Sequence, residues 1–174
     1  EGRSWVRPRV VIAVPSGITT VEKRAVINSA ERAGARKVYL VDEPMAAGLG
    51  VDLPITDSQG SMVVDIGGGT TEVAIMSLGG AVAVTSVKVA GDNMDEAIMS
   101  HIRKTHNLQI GPQTAEELKK TIGSAVALEQ EKTLEIAGRD TLTLMPRKAV
   151  INSEEIREAL QEPLRGIMRA INDC

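Results

Sequence analysis

Three consecutive glycines between two apolar segments are the feature that most constrains the fold of this chain. Residues 62–76 read MVVDIGGGTTEVAIM, so Asp65 closes the first segment and two threonines open the second. The apolar segments predict β-strands, and the glycines predict the turn between them. Glycine adopts positive φ and lets backbone N–H groups converge on an anion. The stretch is therefore either a hairpin whose tip binds phosphate or a flexible hairpin with a solvent-facing aspartate.

The position of the glycines excludes two common nucleotide motifs. A P-loop and a dinucleotide-binding fingerprint both place their glycines just before a helix, and neither GxxxxGK[ST] nor GxGxxG is present. A hairpin tip instead offers the N–H groups of Gly67, Gly68 and Gly69 to phosphate oxygens. Asp65 can hold a hydrated Mg²⁺, since that ion is bound through few carboxylates and keeps its waters.

A strand–helix–strand unit is predicted upstream of the glycines. Residues 10–14 form an apolar run, Thr19 and Glu22 have capping-box spacing, and residues 37–41 form the next strand. This order predicts a parallel strand pair with a right-handed crossover. Glu43 follows the second strand directly and is restrained by Pro44. It is either a carboxylate that orients an attacking water or a charge that interacts with a helix N-terminus.

Composition limits the partners of the chain. It has 174 residues, a net charge of −3, one Trp, one Tyr and no Phe. Without a basic patch or aromatic stacking residues, we expect no nucleic-acid partner. The single cysteine, Cys174, excludes an internal disulfide and fits a reducing compartment.

Local signals predict the structure of the second half. Thr114 and Glu117 have capping-box spacing, which predicts that a helix opens there and runs to about Ala125. The run Gly138-Arg139-Asp140 predicts a turn between two strands. Pro163 predicts that the last helix is kinked or divided in two.

The N-terminal residues contain the apolar pair Trp5 and Val6 between arginines. Such a pair is either a membrane-touching loop or a tryptophan packed against the domain. The physical evidence from the sequence alone favours packing.

Several segments resemble the actin-like ATPase superfamily, which includes heat-shock chaperones and sugar kinases. They cover nearly the whole chain and follow the same order as in that superfamily. They are VVIAVPSGIT, EKRAV, AERAGAR, DEPMAAGLG, VVDIGGGTTEVAIMSLGG, GDNMDEAI, IGPQTAEELKKTIGSA and EEIREAL. DIGGGT is typical of the superfamily, and the full set resembles its bacterial rod-shape-determining branch, the MreB family.

The resemblance implies roles for individual residues. The second phosphate-binding loop of the family matches Asp65, which would hold Mg²⁺, together with Gly67, Gly68, Gly69 and Thr70. The carboxylate that positions the hydrolytic water matches Glu43, and Thr70 would lie near that water.

Further matches concern the adenosine and the membrane. The helix that contacts adenosine matches Glu116 and Lys119, and a glycine–aspartate turn near the nucleotide matches Gly91 and Asp92. Trp5 and Val6 match a hydrophobic loop that inserts into membrane, which favours the membrane alternative for that pair.

The sequence also departs from the family pattern. Ala90 stands where the first of two glycines is usual, and Glu117 stands where an arginine is common. The first phosphate loop and the last adenosine-binding glycines have no match in the chain. We therefore expect an excerpt that carries one side of the nucleotide cleft and does not hydrolyse ATP alone.

The resemblance implies a partial actin-like (ribonuclease H-like) α/β fold, with a mixed sheet, flanking helices and a small α+β insertion. Residues 1–55 would end a first subdomain, residues 56–106 and 152–174 would form a second core, and residues 107–151 would be the insertion. The whole protein would be a weak Mg²⁺-dependent ATPase that self-associates into protofilaments. It would act in the bacterial cytoplasm, peripherally at the inner membrane face, with cell-wall synthesis proteins. The alternatives are a chaperone-type ATPase and a nucleotide-binding filament subunit without significant turnover.

Overall fold

The computed structural model describes residues 7–174, which form two compact units. Of the described residues, unit 1 contains residues 7–65, Glu72–Ser86 and Ala170–Cys174. Unit 2 contains Ile66–Thr71 and Val87–Arg169. Trp5 and Val6, the predicted membrane contacts, lie outside the described residues. The predicted division into three subdomains remains a prediction.

The predicted strand–helix–strand unit is confirmed in unit 1. Strand β1 (Arg9–Val14) pairs in parallel with β2 (Lys37–Asp42), in a register that runs from Arg9 opposite Lys37 to Val14 opposite Asp42. Helix α1 (Thr20–Arg32) connects the two strands. Its N-terminus has the predicted capping box, in which the Thr19 hydroxyl accepts from the Glu22 N–H and the Glu22 carboxylate accepts from the Thr19 N–H.

Helix α2 (Glu43–Gly50) follows β2 without a connecting loop. Its small residues allow close packing, because a Cβ added at Gly48 would lie 2.8 Å from the Met76 Cε atom. Met76 belongs to the central strand of a second sheet, which has the order β3 (Ser61–Ile66), β4 (Thr71–Ser77) and β5 (Gly80–Val87). The predicted strands on both sides of the glycines are thus confirmed.

Unit 2 is built around one apolar core. Its elements are α3 (Gly91–His106), β6 (Leu108–Gln109), α4 (Pro112–Ile122), β7 (Thr133–Asp140), β8 (Pro146–Asn152) and most of α5 (Ser153–Asp173). Strands β6, β7 and β8 form an antiparallel sheet in that order. The core side chains of these elements are almost completely buried and include Ile98, Ile102, Leu108, Leu118, Ile151 and Ile156.

The predicted capping box at Thr114 and Glu117 is wrong. Helix α4 begins two residues earlier, at Pro112, with Gly111 as its N-cap, and it ends at Ile122. Proline is favourable at the first helical position because its missing N–H would have no helical acceptor there. The Gly111-Pro112 pair therefore sets the start of the helix, and Thr114 lies inside it.

The predicted turn at Gly138-Arg139-Asp140 is also wrong, because β7 continues through these residues to Asp140. The chain turns at residues 141–145 instead, where the Asp140 carboxylate accepts hydrogen bonds from the Leu142 and Thr143 N–H groups, each at 2.9 Å. Gly138 serves a packing role in the strand. A Cβ at this position would lie 2.7 Å from the Gln109 carbonyl oxygen and 2.8 Å from a Leu108 side-chain atom.

Pro163 does not divide the last helix, since α5 is continuous from Ser153 to Asp173. Its buried residues recur every three or four positions and form one stripe: Ile156, Leu160, Pro163, Ile167 and Ala170. Burial of this stripe offsets the local cost of proline in a helix. Within residues 7–174, no helix combines the length and the apolar character needed to cross a membrane.

We predict that Gly138→Ala lowers the free energy of unfolding by about 1–3 kcal/mol, because the added methyl group overpacks the contact between β6 and β7. The measurement is chemical denaturation of the purified chain. The control is Ala137→Ser, which adds one heavy atom at the exposed neighbouring position and should change stability by less than about 0.5 kcal/mol. Equal effects of the two substitutions would contradict the packing role of Gly138.

Candidate functional site

Glu43 lies at the carboxyl edge of the parallel strand pair in unit 1. Strand β2 ends at Asp42, opposite the last residue of β1, Val14. Glu43 is the next residue and also the first residue of α2, with Pro44 in the same helical turn. The side chain is half-buried. Its backbone is therefore fixed by a strand on one side and a helix on the other.

The surroundings of Glu43 make its carboxyl group more basic. Burial raises the pKa of Glu43, and the negative charges of Glu72 and Asp65 raise it further. Asp65 lies half-buried in β3, two residues before the glycines. The structure thus brings the predicted residues Glu43 and Asp65 within electrostatic range of each other. Among residues 7–174, no three His, Cys, Asp or Glu side chains are arranged to hold a metal ion by themselves.

Glu72 is a residue that the sequence analysis missed. It lies in β4, is only 1% exposed, and accepts hydrogen bonds from the N–H and the hydroxyl of Ser16. The signal for it was present, because a glutamate in the otherwise apolar run EVAIM is unusual in a central strand. Buried carboxylates need hydrogen-bond donors or cations, so such a residue points to a specific partner.

In unit 2, the glycine turn has a fixed conformation. The Gly67 N–H donates to the Thr70 carbonyl across the turn, at 2.9 Å. The first two N–H groups of α3, from Gly91 and Asp92, donate to the Gly67 and Gly68 carbonyls at 3.1 and 2.8 Å. These bonds argue against the flexible-hairpin alternative, since one bond closes the turn and the start of a helix holds its first two carbonyls.

The same hydrogen bonds determine where the next two N–H groups point. In a planar trans peptide, the C=O and the following N–H point in opposite directions. The Gly67 and Gly68 carbonyls point toward α3, so the N–H groups of Gly68 and Gly69 point away from it. All three glycines are exposed, and Thr70 is half-buried. Two neighbouring N–H groups with a shared outward direction are suited to contact an anion.

Gly91 allows the turn and α3 to approach closely. A Cβ at this position would lie 3.3 Å from the Gly67 carbonyl oxygen and 3.5 Å from the Lys119 Nζ atom. Ala90, the departure from the family pattern, is fully buried and has an extended backbone with φ −158°. Alanine adopts that conformation readily, so the first glycine of the usual pair is not required here.

The structure separates the two predicted adenosine contacts on α4. The Lys119 Nζ atom donates to the Gly91 carbonyl at 3.1 Å and lies 2.9 Å from the Asp95 Oδ1 atom. Lys119 therefore lies beside the junction of the turn and α3. Glu116 is exposed on the same helix and forms an ion pair with Lys120 at 2.5 Å. Asp95, which the sequence analysis did not single out as a site residue, holds the Lys119 ammonium in place.

Comparison with known protein families identifies relatives along the entire chain. The family model described as MreB/Mbl protein matches residues 1–174. The cell shape-determining protein MreB of Escherichia coli (strain K12) is 51% identical over 173 residues, which are 98% of this chain and 50% of the relative. The cell shape-determining protein Mbl of Bacillus subtilis (strain 168) is 40% identical over 164 residues, which are 94% of this chain and 49% of the relative. The chain thus spans about half the length of the curated relatives it matches.

Solved structures confirm the mixed α/β, actin-like fold. The crystal structure of MreB 5 of Spiroplasma citri bound to AMPPNP matches with a TM-score of 0.93 and 41% identity, over 97% of this chain and 51% of that one. A MamK double helical filament matches with a TM-score of 0.78 over 99% of this chain and 51% of that one. At 22% identity, the MamK match shows the fold alone.

We predict that Glu43→Gln changes the pH dependence of stability. Because the pKa of Glu43 is raised in the folded state, its contribution to stability is complete below the ordinary glutamate pKa and is lost as the pH rises through the folded-state pKa. The melting temperature of the substituted chain, relative to that of the original chain, should therefore increase as the pH rises above the ordinary glutamate pKa.

The control for this measurement is Glu31→Gln, at an exposed position of α1 in the same unit. The raised pKa would be contradicted if the melting temperature of Glu43→Gln, relative to that of the original chain, stayed constant or fell with rising pH.

Proposed function

The chain belongs to the MreB/Mbl protein family, and from that premise we propose that it is part of an ATP-binding, filament-forming bacterial actin homologue that determines cell shape. The names of its relatives support this role, since both MreB and Mbl are called cell shape-determining proteins. The nucleotide is supported by the structures of MreB 5 of Spiroplasma citri bound to AMPPNP and to ADP. The same relatives support the cell-shape role over the chaperone-type alternative.

The observation that carries the nucleotide proposal is the fixed turn at residues 67–70. Its carbonyls are held by the first N–H groups of α3, which leaves the Gly68 and Gly69 N–H groups directed outward. Preorganised N–H groups stabilise phosphate charge without reorganisation during the reaction. We assign the phosphates of ATP to Gly67, Gly68, Gly69 and Thr70 in this turn.

The donor set suits a magnesium ion that arrives with the nucleotide. Mg²⁺ is commonly held through one or two carboxylates and the phosphates, and it retains several waters. Asp65 supplies one carboxylate close to the turn along the chain, and the described residues contain no three-ligand group that would hold a metal without phosphate. Asp65 would hold the ion, which would neutralise phosphate charge.

Glu43 is the residue that we assign to the attacking water. Phosphoryl transfer depends mainly on the positioning of the nucleophile and on charge stabilisation. Glu43 would accept a hydrogen bond from the water and take its proton, and its raised pKa makes it a better proton acceptor than an exposed glutamate. Thr70, at the end of the turn, would contact the same water.

The remaining assignments concern the adenosine and the partners of the whole protein. Lys119 and Glu116 would contact the adenosine from α4, with Gly91 at the adjoining start of α3. The whole protein would form protofilaments in the bacterial cytoplasm, peripherally at the inner membrane face, together with cell-wall synthesis proteins. Trp5 and Val6 would insert into that membrane.

We predict that Asp65→Ala in the full-length protein weakens Mg²⁺–ATP binding at least about tenfold, because hydrogen bonds and ion contacts of a carboxylate contribute on the order of 1.5–3 kcal/mol. The measurement is titration with and without a chelator. Chelation should weaken binding to the original protein and have little effect on the substituted one. The control is Asp57→Ala, in an exposed loop of the same unit, and an unchanged affinity in Asp65→Ala would contradict the assignment.

We also predict that Glu43→Gln in the full-length protein slows phosphate release by about 10²–10⁴-fold, because the base that takes the proton of the water is lost. Nucleotide affinity should change less than about twofold, since Glu43 acts on the water. Phosphate release at the original rate after this substitution would refute the role of Glu43. No phosphate release by the unsubstituted protein would favour the filament subunit without turnover.

A further inference from the structure

The mechanism proposed above leaves one buried carboxylate unused. Glu72 lies in the central strand β4, with Thr71 and Val73 on either side, and all three residues are essentially inaccessible to solvent. Among the described residues of unit 1, no lysine, arginine or histidine forms an ion pair with Glu72. A buried carboxylate without a cation is costly to maintain.

The partner of Glu72 is the turn that follows β1. The Ser16 N–H donates to both carboxylate oxygens of Glu72, at 3.0 and 3.2 Å, and the Ser16 hydroxyl donates to one of them at 3.1 Å. The turn is itself closed by the Ile18 N–H, which donates to the Pro15 carbonyl at 3.3 Å. Glu72 thus holds a short, closed turn that lies 56 positions away in the sequence.

This turn and Glu43 lie at the same edge of the β1–β2 sheet. Val14 is opposite Asp42 in the parallel register, so the residues that follow them, Pro15 and Glu43, leave the sheet side by side. Glu72 is also close enough for its charge to act on Glu43. The buried side chain of Glu72 therefore does two things. It contacts the sheet edge that carries Glu43, and its charge contributes to the electric field at the Glu43 carboxyl group.

We propose that Glu72 is a positioning residue for ATP hydrolysis: its carboxylate holds Ser16, and with it the sheet edge that carries Glu43, in the geometry that the attacking water requires. This inference rests on the hydrolytic role of Glu43 proposed above. Glu72 acts through Ser16 and Glu43 and does not itself contact the nucleotide. Removal of its contact therefore affects the catalytic rate more than it affects the binding of ATP.

The test uses four variants of the full-length protein: Glu72→Gln, Ser16→Ala, the combination of the two, and Glu31→Gln as the control. Glu72→Gln keeps the shape of the side chain and removes its charge, whereas Ser16→Ala removes one donor and keeps the N–H. Glu31 is exposed on α1 in the same unit. The measurements are kcat and KM for phosphate release, the affinity for AMPPNP and the melting temperature.

We expect Glu72→Gln to lower kcat at least about tenfold, since small displacements of catalytic groups have effects of that size or larger. KM and the AMPPNP affinity should stay within about twofold of the original values, because only the reacting geometry changes. Ser16→Ala should have a smaller effect of the same kind. In the combined variant, Ser16→Ala should add little to Glu72→Gln, because the two substitutions remove one shared contact.

Three results would overturn this inference and leave the proposed function standing, provided that the unsubstituted protein hydrolyses ATP and that Glu43→Gln slows phosphate release as predicted above. They are an unchanged kcat in Glu72→Gln, a loss of AMPPNP affinity that equals the loss of kcat, and fully multiplicative effects of the two substitutions. If Glu72→Gln fails to fold, an unchanged kcat in the milder Ser16→Ala overturns it. If the unsubstituted protein does not hydrolyse ATP, both the proposed hydrolysis and this inference are overturned.

Discussion

The candidate phosphate turn depends on the two hydrogen bonds that the first N–H groups of α3 donate to the Gly67 and Gly68 carbonyls. Helix N-termini have N–H groups without helical acceptors, and such groups commonly bind anions themselves. Here two of them hold the backbone of a neighbouring turn instead. The peptide planes of the turn are thereby oriented, and the N–H groups of Gly68 and Gly69 are directed outward. Gly91 suits this junction, because a Cβ there would crowd the Gly67 carbonyl oxygen of the turn.

Unit 1 shows a second way of fixing functional groups, through carboxylates placed where solvent is partly or wholly excluded. Glu43 is held between β2 and α2, and burial together with two neighbouring negative charges raises its pKa. A chain selected only for stability would avoid this accumulation of negative charge. Perturbed carboxylates of this kind are common at functional sites. The Ser16 donors satisfy the most buried of the three, Glu72.

The sequence predicted most of the helices and strands, because those depend on local signals. Capping-box spacing illustrates the limit: it predicted α1 correctly at Thr19, but the same spacing at Thr114 was overruled by the Gly111-Pro112 pair before it. Gly138 was misjudged because its surroundings come from a distant element, the backbone of β6. Pro163 was predicted to kink or divide the last helix, and the division does not occur because the buried stripe of α5 holds the helix continuous. Glu72 was missed because its partner is remote in sequence.

The most direct test of the nucleotide assignment is to follow the backbone amide resonances of the isotope-labelled full-length protein, kept unpolymerised, during titration with Mg²⁺ and AMPPNP. The outward N–H groups of Gly68 and Gly69 should shift strongly and saturably. Those of Gly79, in the turn between β4 and β5 of the same sheet, and of Gly80, the first residue of β5, should shift little. Unchanged Gly68 and Gly69 resonances at saturating nucleotide would contradict the assignment of the phosphates to this turn.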